Sequence, residues 1–148
     1  MTIKATVKEV LDANRALRRI NEEVRLPQKA AWRVARLLGQ FKPVVMDFEM
    51  TQLKLYRDAG GVERGSGIEI APVERVDDES QADWLLRRKE HDDAVNGLGE
   101  QIRALQANEI EINYDPLPLS LFSDEDSKTK KLYSANDFAD AGPFIAED

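Results

Sequence analysis

An apolar stripe steps by alternating threes and fours through Ala31, Val34, Leu38, Phe41, Val45, Phe48 and Leu55, interrupted only by Gln52. That spacing is the seam of a long helix packed along one face. A second stripe with the same step, Val10, Ala13, Leu17, Ile20 and Val24, ends just before Leu26-Pro27. The residue before a proline is disfavoured in the helical region, whereas proline itself suits the first turn of a helix. The pattern predicts two helices meeting at a proline turn. The first opens at Thr6-Val7-Lys8-Glu9, which reads as a capping box, and runs to about Arg25. The second runs from Pro27 to about Tyr56. Pro43 removes one backbone hydrogen bond inside it, yet Val45 and Phe48 continue the seam, so a bend rather than a stop is expected.

Ala59-Gly60-Gly61 has the residues of a helix end. Ile68-Glu69-Ile70-Ala71 alternates like a short strand, and a third helix is expected from Asp78 or Ser80 to Ala107. Its stripe is Trp84, His91, Val95, Leu98, Ile102 and Leu105, with Arg88 in one seam position. Glu109 to Asp115 alternates strictly and places Ile110, Ile112 and Tyr114 on one face of a strand. Leu117, Leu119 and Leu121 extend the alternation through two prolines; because proline cannot donate to a ladder, that extension belongs at a sheet edge or against a partner. The predicted fold is therefore α+β and mainly α: an antiparallel, coiled-coil-like hairpin of long helices, a third long helix packed on it, and a small β-sheet. At 148 residues it is expected to form a single domain, residues 1–148, with the hairpin over 6–58, the third helix over 78–107 and the strand with its extension over 108–148.

The chain has no cysteine, which excludes disulfides, thiolate metal sites and cysteine nucleophiles. No apolar run of about 18 residues and no signal-peptide layout is present, so a soluble protein away from membranes is expected. The net charge of -7 hides an asymmetry: residues 1–60 carry 12 Lys+Arg against 7 Asp+Glu, and residues 61–148 carry 9 against 21. A basic half that receives an anion and an acidic half that resists nonspecific nucleic-acid binding would use this distribution; so would attraction between subunits of an oligomer.

Candidate chemistry is sparse. His91, the one histidine, occupies a seam position beside Asp92 and Asp93, and sequence neighbours do not face one another on a helix. Gly60-Gly61 with Gly65 and Gly67 lacks the Gly-Lys-Ser/Thr ending of a phosphate loop. No metal, no cofactor and no catalytic residues are expected. The suggestive feature is a basic cluster around the hairpin tip: Arg15, Arg18, Arg19, Arg25, Lys29, Arg33 and Arg36, met only by Glu22 and Glu23. Arginine's planar fork suits carboxylate or phosphate recognition; ion pairs with the acidic C-terminal half are the competing use of the same charges. Trp32 is the one aromatic interleaved with them, which argues against a single-stranded nucleic-acid platform. Trp32 and Met46 fall off the main seam, and together with Leu117, Leu119 and Leu121 they are the expected oligomer or partner interface.

The segment Leu26-Pro27-Gln28-Lys29-Ala30-Ala31-Trp32-Arg33-Val34-Ala35-Arg36, followed by Phe48-Glu49 and Gly60, resembles a family of small tailed-phage proteins of unknown function. The strand Ile110-Glu111-Ile112, the Leu-Pro-Leu segment and the closing Gly142-Pro143-Phe144-Ile145 also resemble that family's end, while Pro43 and the polar residues 123–131 depart from it. The resemblance implies a bacteriophage or prophage product acting in the cytoplasm of the bacterial host or in particle assembly. The expected task is that of a non-enzymatic bacteriophage accessory protein that binds a host component, such as a defence or regulatory factor or an anionic small ligand, as a homo-oligomer. The alternatives are a structural or assembly component of the phage particle, found in the virion, and, ranked last, nucleic-acid binding through the basic hairpin tip.

Overall fold

A computed structural model describes residues 2–23, 26–65, 67–118, 120 and 139–146. The chain forms two compact units, one of residues 1–47 with 106–148 and one of residues 48–105.

In the first unit, strand β1 (Thr2–Thr6) leads without a loop into helix α1 (Val7–Glu23). The junction is the capping box read from the sequence. The Thr6 amide donates to Glu9 Oε2 at 2.7 Å, and the Glu9 amide donates to Thr6 Oγ1 at 3.2 Å. Two amides that the first helical turn leaves without partners are thereby satisfied. Helix α2 spans Gln28–Asp58 and passes through Pro43 without ending. The loss of one backbone hydrogen bond is tolerated there because Val44 and Val45, just beyond the proline, pack against the core.

Helices α1 and α2 are packed in contact. From α1 the predicted seam residues Val10, Ala13, Leu17 and Ile20 are all 0% exposed; Val24 lies outside the described residues. The buried line of α2 is Ala30, Val34, Leu37 and Phe41, shifted by one position at two points from the predicted Ala31 and Leu38, which are half-buried. Its neighbours lie on more than one side, so the inward arc is wider than a two-helix seam and centres elsewhere.

Those further neighbours come from the C-terminal part of the chain. Strand β4 (Glu109–Asn113) pairs antiparallel with β1 in the register Ile3↔Ile112 and Ala5↔Ile110, burying Ala5 and Ile112. Leu117–Pro118 (strand β5) pairs in parallel with Ile145–Ala146 (strand β6), with Leu117 opposite Ile145. Between β5 and β6 in sequence, the 3-10 turn Gly142–Phe144 inserts Phe144 into the core at 0% exposure. Its ring meets Phe41 edge-on at 4.7 Å between centroids and Tyr114 at 5.3 Å, geometries that suit the aromatic quadrupole. The Tyr114 hydroxyl donates to the Pro143 carbonyl at 3.2 Å, and burial pushes its pKa up from the usual tyrosine value.

The second unit holds the end of α2, a hairpin of β2 (Val62–Arg64) with β3 (Gly67–Glu69), and most of helix α3 (Gln81–Ala107). The predicted strand over residues 68–71 thus pairs locally with β2, not with the C-terminal strand, and among the described residues the small sheet is resolved into three separate two-stranded ladders. α2 terminates in a Schellman arrangement: the Gly60 amide donates to the Arg57 carbonyl and the Gly61 amide to the Tyr56 carbonyl at 2.8 Å. Gly60 sits at φ 92°, and a Cβ on Gly61 would come within 2.7 Å of the Tyr56 oxygen. Both positions require glycine.

Ser80, the later of the two predicted starts, caps α3 by accepting from the Asp83 amide at 3.1 Å. The segment leading to it is held to α3 from two sides. Arg87 donates through Nε and Nη2 to the Glu79 carboxylate at 2.5 and 2.7 Å, and also to the Glu74 carbonyl. His91 Nε2 donates to the Ala71 carbonyl at 2.9 Å, which places its proton on that nitrogen. Of the predicted α3 stripe, Trp84, His91, Ile102 and Leu105 are half-buried and Leu98 is buried, whereas Arg88 and Val95 face solvent. The residues predicted as a second cap at Ser134 and the polar stretch 123–131 lie outside the described residues.

Two tests follow from this packing. Phe144→Ala removes a fully buried ring from between two others and is expected to cost about 3 kcal/mol or more in urea unfolding. Glu79→Gln probes the α3 clasp: the Arg87 guanidinium holds the Glu79 carboxyl below its ordinary value of 4.5. A depressed folded-state pKa stabilises above the unfolded value and ceases to do so as pH falls through the folded one. The stability difference between wild type and Glu79→Gln should therefore be present at neutral pH and vanish on acidification below the ordinary glutamate range.

Candidate functional site: a basic cleft on helix α2

The spacing of Lys29, Trp32, Arg33, Arg36 and Gln40 puts them on one side of α2, and the strand end Asn113-Tyr114-Asp115 closes the opposite wall. With Leu37 as floor, these residues enclose a cleft of about 270 Å³. Ligand pockets for whole small molecules usually begin at about 300 Å³, so the cleft is sized for one or two side chains or a single anionic group.

Each basic residue has a different part in it. Arg33 Nη2 donates to the Pro116 carbonyl at 2.6 Å in a partly buried position, tying α2 to the segment after β4. Arg36 lies over the Trp32 ring at 5.2 Å and reaches Asp115 Oδ2 at 3.7 Å. Both partners of that ion pair are well exposed, 62% and 68% at the side chain, so it is weak and exchangeable. Lys29 carries no ion pair among the described residues and lies in the first turn of α2, where the amide ends of the helix add positive potential. Trp32 is 61% exposed, with one face covered by Arg36.

The seven predicted basic residues are not one surface. Lys29, Arg33 and Arg36 converge on the cleft. Arg15, Arg18 and Arg19 belong to α1 and do not line it; Arg15 is exposed and 4.0 Å from Asp12, Arg18 is exposed, and Arg19 is half-buried. Arg25 lies outside the described residues, as do Leu119 and Leu121. Met46 is 49% exposed on α2. Leu117, predicted as an interface residue, is instead 1% exposed within the core, because β5 is closed by β6 and its side chain turns inward. Gln40, Asn113, Tyr114 and Asp115 were not among the predicted site residues, although Tyr114 was read as part of the strand's inner face. Gln40 continues the Lys29–Arg36 face by one further turn, a signal that could have found it, but nothing in the sequence pairs that face with the end of β4.

No group of three or more His, Asp or Glu residues placed to hold a metal ion occurs among the described residues. None of their helices is long and apolar enough to cross a membrane. The chain matches no protein-family model, no curated protein and no solved structure.

The roles of Arg33 and Lys29 can be separated by stability. Arg33→Met leaves the Pro116 carbonyl without its charged donor and is expected to cost about 1–2 kcal/mol in urea unfolding. Lys29→Met, at an exposed and unpaired position, should stay within about 0.5 kcal/mol of wild type.

Proposed function

We propose that this chain is a non-enzymatic accessory protein that captures an acidic segment of a partner protein in the α2 cleft. The observation that carries this reading is a Lys29 without an ion pair among the described residues, next to a largely exposed Trp32, in a cleft where Arg36 is held by that ring and by one exposed carboxylate. A partner carboxylate entering the cleft exchanges with Asp115 at Arg36 and adds an interaction with Lys29. An adjoining apolar side chain covers Trp32. Exposed tryptophan and arginine are the side chains on which protein interfaces most often concentrate their binding energy, and the charge around them sets encounter rate and partner choice. The phage setting rests on the resemblance of the Leu26–Arg36 segment and the Gly142–Ile145 end; in that setting the partner is a protein of the bacterial host.

Trp32 supplies the test. The Trp84 indole N–H finds no hydrogen-bond partner among the described residues, so Trp84→Phe removes no such bond there and leaves Trp32 as the one tryptophan of the chain. Titration of this variant with a hexaglutamate peptide at low salt is expected to shift Trp32 emission. Lys29→Glu should weaken the response severalfold, and Asp115→Asn, which removes the competing carboxylate, should strengthen it. A response to duplex DNA with a steep salt dependence, in the absence of any response to hexaglutamate, would replace this reading with nucleic-acid binding.

A further inference from the structure

Helix α3 presents apolar residues on two sides. One side carries Trp84, His91 and Leu98, which are half-buried or buried. The other carries Gln81, Leu85, Arg88, Asp92, Val95 and Gly99, which step by alternating fours and threes, the heptad spacing of a helix seam. On this second side Leu85 is 48% exposed and Val95 38%, and Gln81, Arg88 and Asp92 are exposed as well.

The exposed stripe is its own complement. Reversing it about Glu90 exchanges Leu85 with Val95, Arg88 with Asp92, and Gln81 with the small Gly99. We propose that α3 pairs antiparallel with α3 of a second copy of this chain, centred on Glu90. In an antiparallel pair the seam positions meet in layers of unlike register, so Leu85 faces Val95 of the partner subunit and Arg88 faces Asp92 of the partner subunit, each layer occurring twice by the two-fold axis. A parallel pair would instead set Arg88 against its own copy and Asp92 against its own copy, and like charges at close range disfavour it.

The two charged groups are available for this. Arg88 lies over the Trp84 ring at 5.5 Å and has no ion pair among the described residues. Among the described residues the one side-chain contact of Asp92 is with His91 Nδ1, at the long distance of 3.5 Å. Although four residues apart on one face, Arg88 and Asp92 do not pair with each other, and a base placed before an acid is the less favourable order along a helix. The paired segment Gln81–Gly99 is about 27 Å long. It does not depend on the cleft, which belongs to the other unit.

Sedimentation equilibrium of the full chain tests the pairing by its symmetry. Wild type should show a monomer–dimer equilibrium, with dimer populated at the highest concentration loaded. Arg88→Asp alone sets acid against acid in both charged layers, and Asp92→Arg alone sets base against base, so each should be monomeric at the same concentration. Two recoveries are then expected. An equimolar mixture of the two single variants should dimerise, because every layer again joins opposite charges, and the double variant Arg88→Asp with Asp92→Arg should self-associate like wild type. A wild type that remains monomeric, single variants that still dimerise, or a double variant that does not recover would each overturn the proposal. The hexaglutamate response of Trp32 should be unchanged throughout, which separates failure here from failure of the cleft reading.

Discussion

The packing of Phe144 between Phe41 and Tyr114 joins three segments far apart in sequence: the middle of α2, the residues just after β4, and the 3-10 turn near the C-terminus. None of these could bury its aromatic ring alone. With the three together, each ring meets the edge or face of another, and the Tyr114 hydroxyl finds its acceptor in the residue preceding Phe144. The β5–β6 ladder follows directly from the same docking, since Ile145 comes immediately after Phe144 and lies opposite Leu117.

The basic cleft is a consequence of that cluster. Tyr114 is held inward by Phe144, so its neighbours Asn113 and Asp115 are set against the Lys29–Gln40 side of α2. Arg33 then reaches the Pro116 carbonyl and locks the wall in place from the α2 side. A cation engaged in a partly buried structural contact thus lies beside cations that make only exposed contacts. This division explains why the cleft can be rigid without being neutralised: the buried contact uses the strong, charge-assisted hydrogen bond, and the exposed Arg36–Asp115 contact is weak enough to exchange.

The two units carry their exposed apolar groups differently. In the first, Trp32 stands amid cations, which suits a partner that brings negative charge. In the second, Leu85 and Val95 bracket one base and one acid, which suits a partner of identical sequence in reversed direction. In both proposed contacts charge would select the partner, while the apolar side chain would supply area that excludes water. A chain using both would present two copies of the cleft to its partner, a route to avidity that needs no new contact within either cleft.

Local signals set much of this architecture. The Thr6–Glu9 capping box, the Val10–Ile20 seam, the Gly60-Gly61 helix end and the alternation of Glu109 to Asn113 are short-range sequence patterns, and each is present in the folded chain, although the ladder of the last is made with the distant β1. The basic side of α2 was legible for the same reason, since Lys29, Arg33 and Arg36 share a face through helical spacing alone. What required the tertiary structure was anything that depends on two distant segments meeting. Sequence periodicity could not tell that Phe144 would pack against Phe41, or that the buried line of α2 would run through Ala30 and Leu37 in place of Ala31 and Leu38. Nor could it tell that Leu117 would be sealed inside by β6, or that Asn113 and Asp115 would complete the cleft. Helical and strand periods record which residues point the same way; which surface they point at is decided by long-range packing, and one chain's local pattern is compatible with several such choices.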